Sequence, residues 1–171
     1  MSVQQILSIP PLIFLGNAPS WQMPECVQVN RLPARATFLP FPDAKSALGK
    51  GWDESPWKLD LNGAWDFLML ERPEQLRQGM LDGTEGKTAP ITVPGNWTLQ
   101  GHGFPHYTNI QMPFPHEPPM VPEENPTGVY RRTFQVPRQW KGRRVVAHFG
   151  GAESVLYVYL NGQPIGLSKD S

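Results

Sequence analysis

Cysteine, net charge and long apolar runs are all scarce in this sequence of 171 residues, which has one cysteine, Cys26, and 15 basic against 15 acidic residues. A lone cysteine cannot form an internal disulfide and fits a reducing compartment, so we expect a cytoplasmic protein. The absence of a basic run argues against nucleic acid as a partner. No apolar run is long enough to span a bilayer, so we expect no membrane partner either.

The N-terminal segment could be taken for a secretory signal and Cys26 for a nucleophile, but the sequence supports neither interpretation. Residues 1–20 are apolar, but no lysine or arginine precedes the apolar part, and Pro10 and Pro11 interrupt it, so we do not expect a secretory signal. Cys26 could be a nucleophile in principle. Because nothing near it in the sequence offers a base, we interpret it as a small apolar filler or an exposed thiol.

Proline and glycine are abundant, with 20 and 16 copies, and six tryptophans and eight phenylalanines accompany them. These aromatic side chains provide burial that disordered chains lack. Because no long helical pattern separates the candidate strands, the sequence predicts an all-β fold, an antiparallel sandwich with long ordered connections. The predicted strands are 61–70, 91–93, 127–136, 143–149, 154–160 and 163–167.

Local signals support several of these elements. The alternation of Trp65, Phe67 and Met69 places three large apolar side chains on one face of a strand. Asn161-Gly162 is the strongest hairpin signal, because a type I′ turn needs a positive φ at both central positions. A short helix is predicted to begin at Pro73, and residues 79–87 are predicted to form a loop.

The sequence divides into two parts. Residues 1–50 carry scattered prolines and no sustained period, which indicates an irregular N-terminal arm that lies along a larger body. Residues 51–171 are predicted to form the sandwich domain. Strand 154–160 is apolar on both faces and needs cover on both, so we expect the sandwich to be incomplete at its C-terminal end.

The segment 93–134, VPGNWTLQGHGFPHYTNIQMPFPHEPPMVPEENPTGVYRRTF, is the most informative part of the sequence. Its prolines make it stiff and extended, and they cannot donate ladder hydrogen bonds. Its aromatic residues alternate with asparagine and histidine, which places flat apolar faces beside hydrogen-bonding groups. This combination is typical of a recognition loop, and sugars are one natural ligand for it.

Several side chains of this segment could carry chemistry, and each has a plainer interpretation. Trp97 could stack on a sugar, but a tryptophan in a Gly-Asn-Trp turn more often anchors its loop to the core, and we favour the anchor. His102, His106 and His116 could suggest a metal site. Their spacing on a loop broken by proline and glycine fits no rigid template, so we interpret them as loop-packing or surface histidines.

The acidic residues Glu117, Glu123 and Glu124 could be mistaken for an acid/base pair. Adjacent residues on an extended chain point to opposite sides, so Glu123 and Glu124 cannot easily flank one bond. We interpret these residues as solvated carboxylates that can pair with Arg131 or Arg132. The GHG run at 101–103 is too short for a phosphate cradle and opens no helix.

Six segments occur in order along the chain: VNRLPARATFLPF (29–41), LNGAWDF (61–67), VPGNWTLQGHG (93–103), YTNIQMPFP (107–115), VPEENPTGVYRRTF (121–134) and VYLNGQPIGLSKDS (158–171). Together they resemble the N-terminal region of the large β-galactosidases of glycoside hydrolase family 2, the group that includes the lactose-hydrolysing and evolved β-galactosidases. The resemblance covers roughly residues 27–171. The ENPTG motif, and YTN followed by a proline-rich run, are its most specific parts.

This resemblance implies a fold and a place in a larger enzyme. The first domain of the family is a jelly-roll β-sandwich of the galactose-binding type, and the arm before it helps to hold the subunits together. Catalysis takes place in a TIM barrel further along the chain, where two glutamates act as acid/base and nucleophile with Mg²⁺ and Na⁺ nearby. We therefore expect no catalytic residue, metal ligand or cofactor in this chain, and a homo-oligomeric full-length enzyme.

The resemblance also transfers one site residue, Asn109, which occupies the asparagine position of the YTN motif. In the family this asparagine reaches the sugar pocket, and an amide offers two donors and an acceptor to neighbouring hydroxyls. The alternative is a turn residue that bonds its own backbone.

The first hypothesis for the function is the N-terminal part of an enzyme that hydrolyses terminal β-D-galactosyl bonds. Its partners would be a β-galactoside and the remaining domains or a complementing subunit, and the chain alone would be inactive. The second is a free-standing carbohydrate-binding β-sandwich without catalysis. The third is a remnant of a disrupted gene that never folds stably.

Overall fold

The computed structural model describes residues 9–105 and 117–169, in which short strands are joined by long irregular connections. The strands are β1 (Phe14–Leu15), β2 (Ala18–Pro19), β3 (Gln28–Val29), β4 (Gly63–Leu70), β5 (Ala89–Val93), β6 (Thr127–Arg131), β7 (Val155–Leu160) and β8 (Gln163–Lys169). The α-helices are α1 (Ala44–Gly49) and α2 (Gln78–Asp82), and 3₁₀ turns lie at Ser20–Gln22, Trp52–Glu54, Pro73–Gln75, Thr98–Gln100 and Arg138–Trp140. The prediction of an all-β fold is confirmed. None of the helices in the described ranges is long and apolar enough to cross a membrane.

The strands form antiparallel sheets of order β5-β4-β6, β3-β8-β7 and β1-β2. In the first of these sheets β4 is central, and its residue Phe67 lies opposite Ala89 of β5 and Tyr130 of β6. In the second, β8 is central and pairs with β7 and with the short β3. The sheet order β5-β4-β6 determines the path of the connection between β5 and β6.

The two faces of β4 pack against different parts of the protein. As predicted, Phe67 and its alternating neighbours share one face, and Leu68 and Leu70 lie on the other. The second face contributes to the main core, whose buried members are Ile9, Ile13, Leu70, Leu76 and Val129. Tyr157 of β7 packs against this core, so the core lies between the two larger sheets.

The N-terminal segment is part of this core. Ile13 and Ser20 are 1 % and 0 % exposed. The Ser20 hydroxyl shares a 2.7 Å hydrogen bond with the Tyr157 hydroxyl, and the Lys169 ammonium donates to the carbonyls of Ser20 and Met23. Burial raises the pKa of Tyr157 to about 12, against a smaller lowering by the Ser20 hydrogen bond. The domain boundary at residue 50 stays a prediction.

The turn predictions agree with the structure in most places. Asn161 and Gly162 have φ values of 51° and 74°, which confirms the hairpin between β7 and β8. The helix at Pro73 forms as a 3₁₀ turn. The prediction of a loop at 79–87 is wrong in part, because α2 continues to Asp82. Gly83, in the left-handed region at φ 81°, then ends the helix.

One strand prediction is wrong, and a second is right only in its first half. Residues 143–149 include β-branched and aromatic side chains, yet no strand in the described part of the chain pairs with them, and Val145, Val146 and Phe149 are 51 %, 46 % and 47 % exposed. Such residues favour a strand only where a neighbour supplies ladder hydrogen bonds and packing. The strand predicted at 127–136 ends at Arg131. Just beyond it, the Arg132 guanidinium donates to the carbonyls of Leu61 and Asn62, at 2.7 Å in each case.

Candidate functional site

The connection between β5 and β6, residues 94–126 and here called the crossover loop, contains most of the predicted recognition segment. Val93 at the end of β5 lies opposite Gly63, whereas Thr127 at the start of β6 lies opposite Leu70. β5 and β6 flank β4 on opposite sides. The crossover loop must therefore pass the whole length of β4, roughly 23 Å at ~3.3 Å per residue.

Aromatic side chains hold the first part of the crossover loop on the Phe67 face of β4. The ring centroids of Trp97 and His102 lie 6.1 and 4.6 Å from that of Phe67. Tyr130 of β6 packs against the same ring, at 4.9 Å, and burial raises its pKa. Phe67 is only 1 % exposed beneath them. The interpretations of Trp97 as an anchor and of His102 as a loop-packing histidine are confirmed.

Trp97 occupies the space that a side chain at position 128 would need. A Cβ atom on Gly128 would lie 2.5 Å from Cζ3 of Trp97 and 2.8 Å from Cε2 of Phe67. Gly128 is absent from the residues with positive φ, so the close approach of the indole, not the backbone conformation, requires glycine here. Sequence reasoning missed Gly128. The available signal was a glycine inside a predicted strand, because such a glycine often marks a place where another group packs closely against the backbone.

Side-chain hydrogen bonds fix the turn around Trp97 to β5. The Thr92 N–H donates to the Gln100 Oε1 at 2.8 Å, and the Gln100 Nε2 donates to the Thr92 carbonyl at 3.0 Å. The Asn96 Oδ1 accepts from the N–H and the hydroxyl of Thr98, at 3.0 and 2.8 Å. This reciprocal pair and the asparagine turn determine where the chain leaves β5.

The described parts of the crossover loop meet the far end of β4 on both sides of segment 106–116. A Cβ on Gly103 would lie 2.9 Å from the Met69 Cε, so the outgoing chain lies against that side chain. On the return, the Asn125 N–H donates to the Glu71 carbonyl at 2.9 Å. The Thr127 hydroxyl then donates to the Asn125 carbonyl at 3.0 Å. Both attachments are therefore at the Met69–Glu71 end of the sheet.

Three predicted residues, Asn109, His106 and His116, lie in segment 106–116, outside the described residues. Nothing in the structure tests their interpretations. The sugar contact of Asn109 therefore stays a prediction.

The acidic residues of the crossover loop are solvated, as predicted. Glu117, Glu123 and Glu124 are all exposed. The expected pairing with arginine is wrong, because the Arg131 Nη2 lies 3.2 Å from the Asp66 Oδ2 and Arg132 bonds backbone carbonyls. Glu123 instead lines a cavity of about 230 Å³ that also includes Trp21, Gln22, Arg72, Glu74, Val121, Pro122 and Asn125.

The remaining candidates have ordinary surroundings. Cys26 is a half-buried free thiol just before β3. The GHG run follows the 3₁₀ turn Thr98–Gln100, and Gly101 ends that turn in the left-handed region at φ 87°. Across residues 9–105 and 117–169, no group of three or more histidine, cysteine, aspartate or glutamate residues could hold a metal ion.

Comparison with known proteins assigns this domain to a family. Residues 59–171 match the sugar binding domain of the glycosyl hydrolases family 2. The chain belongs to this family. The chain is 40 % identical over 155 residues to a β-galactosidase of Pectobacterium atrosepticum. It is 37 % identical over 152 residues to a β-galactosidase of Erwinia tasmaniensis, and each match covers 88 % of the chain. A β-galactosidase of Yersinia pestis is 36 % identical over 171 residues, which cover 99 % of the chain.

These family 2 relatives are much longer proteins. The matches occupy 14 % of the Pectobacterium, 15 % of the Erwinia and 16 % of the Yersinia protein. The resemblance found in the sequence is confirmed. The family match begins at residue 59. Residues before it are nevertheless part of the same fold, because Ile9 and Ile13 contribute to the core and β3 pairs with β8.

Proposed function

We propose that this chain is the sugar-binding N-terminal part of a β-galactosidase that hydrolyses terminal β-D-galactosyl residues, as in lactose. The observation that carries the proposal is the combination of a family 2 sugar-binding match over residues 59–171 with β-galactosidase relatives of which the chain spans only 14–16 %. The catalytic carboxylates of a retaining glycosidase stand ~5–5.5 Å apart across the scissile bond. In this proposal they belong to the rest of the enzyme, and the chain alone is inactive.

The crossover loop supports a role at the sugar. Its described parts are fixed to β4 by Trp97 and by the Asn125 N–H, and they frame the segment that contains Asn109. The proposed role of Asn109 is to hydrogen-bond two neighbouring galactose hydroxyls through its amide.

The remaining parts of the enzyme are the proposed partners of this domain. The exposed side chains of Val145, Val146 and Phe149 supply apolar surface that such a partner would cover. The full-length enzyme would be a cytoplasmic homo-oligomer, and its Mg²⁺ and Na⁺ would be held by the whole enzyme, not by this chain.

Complementation tests the proposal. The purified chain is mixed with a Pectobacterium atrosepticum β-galactosidase that lacks its matching N-terminal segment, and hydrolysis of a chromogenic β-galactoside is followed. We expect activity only in the mixture, because association buries apolar surface and completes the sugar site. Hydrolysis by the chain alone would show that catalytic groups lie within it. A folded monomer that binds galactose but does not complement would favour a free-standing carbohydrate-binding sandwich.

A further inference from the structure

Residues 144–149, RVVAHF, have the composition of a strand but none of its hydrogen bonds. All six residues are exposed. Within the described ranges 9–105 and 117–169, their N–H and carbonyl groups form no hydrogen bond to another backbone group. Because β-branched and aromatic side chains favour strands, Val145, Val146 and Phe149 suit a strand that lacks a neighbour. We call residues 144–149 the unpaired segment.

Contacts with another part of the chain fix the start of the unpaired segment. The Trp140 Nε1 donates to the Pro56 carbonyl at 2.9 Å, and the Arg143 guanidinium lies 3.7 Å from the ring centroid of Trp57. Soon after the segment ends, Val155 begins β7, which pairs with β8. The unpaired segment is therefore attached on both sides, and a partner that binds it does not have to order a long free loop.

Open backbone groups beside apolar side chains fit an incoming β-strand better than they fit a flat apolar surface. Such a strand pairs with the N–H and carbonyl groups and covers the side chains of alternate residues. A second copy of this chain is a poor candidate, because residues 138–152 contain four basic residues and no acidic one, and two copies would bring like charges together. The β-galactosidase relatives contain far more sequence, since the matches occupy only 14–16 % of them.

We infer that the unpaired segment receives a β-strand from the remaining part of the enzyme, which binds it through backbone hydrogen bonds. This inference rests on the proposed function and deepens it, because it specifies how the partner binds this domain. The partner strand lies beside residues 144–149 and presents apolar side chains to Val145, Val146 and Phe149. Association then gains both from the new hydrogen bonds and from the burial of apolar surface.

Paired substitutions separate backbone pairing from apolar contact. Val146→Pro keeps an apolar side chain but removes the N–H, whereas Val146→Thr keeps the N–H and the branched shape but adds a hydroxyl. Because only every second N–H of a strand points toward a given neighbour, the same two substitutions are made at Val145. Each variant chain is titrated into the truncated Pectobacterium enzyme, and the chain concentration that gives half-maximal hydrolysis of a chromogenic β-galactoside is measured.

At one or both of these positions we expect proline to raise the half-maximal concentration by about 10- to 100-fold, and threonine to raise it less. Apolar contact without strand pairing predicts the opposite order, because threonine is the more polar substitution. The inference would be overturned if threonine weakened association as much as proline at both positions, or if neither proline variant weakened it.

A second measurement does not depend on any variant. Amide hydrogen exchange of residues 144–149 is compared between the unmodified chain alone and the same chain in the complemented enzyme. We expect exchange to slow by at least about 10-fold at alternate positions in the mixture, because strand pairing protects those amides. Equal exchange in the two samples would contradict strand pairing even if a proline variant failed to fold.

The outcomes distinguish failure of this inference from failure of the proposed function. If the unmodified chain does not restore activity, the proposed function fails, and the inference fails with it. If the chain restores activity while both proline variants do so equally well, only the strand pairing is lost. Sedimentation of the chain alone covers the other occupant: a dimer that Val146→Pro or Val145→Pro abolishes would assign the unpaired segment to a second copy and overturn the inference.

Discussion

Replacement of Ser20 by alanine should loosen the N-terminal segment from the core. Its hydroxyl lies 2.6 Å from the Leu12 carbonyl, 3.1 Å from the Ile13 carbonyl and 2.7 Å from the Tyr157 hydroxyl, and Ser20 is 0 % exposed. Alanine has nearly the shape of the serine side chain, but it lacks the hydroxyl that bonds the Tyr157 hydroxyl. A net hydrogen bond is worth about 0.5–1.5 kcal/mol, and an unsatisfied buried hydroxyl costs about 1–3 kcal/mol. We therefore expect the free energy of unfolding to fall by about 2–4 kcal/mol.

Urea unfolding, followed by tryptophan fluorescence, measures this change. With a slope of about 2 kcal/mol per M urea, the midpoint should fall by about 1–2 M, while the slope stays the same. Ser154→Ala is the control, because Ser154 is exposed and its replacement should change the free energy of unfolding by less than about 0.5 kcal/mol.

A double mutant shows whether the lost energy belongs to the contact between the two hydroxyls. Tyr157→Phe removes the partner of Ser20, so the double variant should be more stable than the two single losses predict, by about 0.5–3 kcal/mol. A Ser20→Ala loss below about 0.5 kcal/mol, or strictly additive single losses, would refute the reasoning that the hydrogen bond between Ser20 and the half-buried Tyr157 fixes the N-terminal segment.

Three further predictions concern pH, the hairpin and the sugar. Burial raises the pKa of Tyr157 to about 12, whereas the unfolded chain releases this proton near pH 10. The free energy of unfolding should therefore fall as the pH rises from 10 to 12. Urea titrations at each pH should show a smaller fall for Tyr157→Phe. Gly162→Ala should lower the free energy of unfolding by about 1–3 kcal/mol, because φ is 74° and the new Cβ would lie 2.5 Å from the Asp82 Oδ1; an unchanged melting temperature would contradict this. Asn109→Ala should lower kcat/KM of the complemented enzyme about 2- to 12-fold, the equivalent of one hydrogen bond, and unchanged kinetics would exclude the sugar contact.

Elements defined by neighbouring residues were predictable from the sequence. β4 shows its alternation within eight residues, Gly63–Leu70, and the hairpin at Asn161 depends on two adjacent positions. The 3₁₀ turn at Pro73 follows from the fixed φ of proline. In each case the physical cause lies within one short stretch, so composition and spacing were sufficient.

Elements that depend on distant partners were not predictable in this way. Residues 143–149 include β-branched and aromatic side chains that favour a strand, but a strand forms only when another supplies its hydrogen bonds, and no described strand does. Arg131 illustrates the same point for charges: its carboxylate partner is Asp66 on β4, not the nearby glutamates of the crossover loop. Sequence proximity predicted the wrong ion pair because the sheet brings residue 66 beside residue 131.

Trp97 shows how a distant contact decides between two functional interpretations. From the sequence, this tryptophan could either stack on a sugar or anchor its loop. The deciding neighbour, Gly128, lies 31 positions later and carries no side chain, so no local pattern reveals it. Because the indole packs on Gly128 and Phe67, it cannot leave to stack on a sugar without opening a gap above β4. This packing supports the interpretation of Trp97 as a loop anchor over that of a sugar-stacking residue, and the sugar contact of Asn109 stays a prediction.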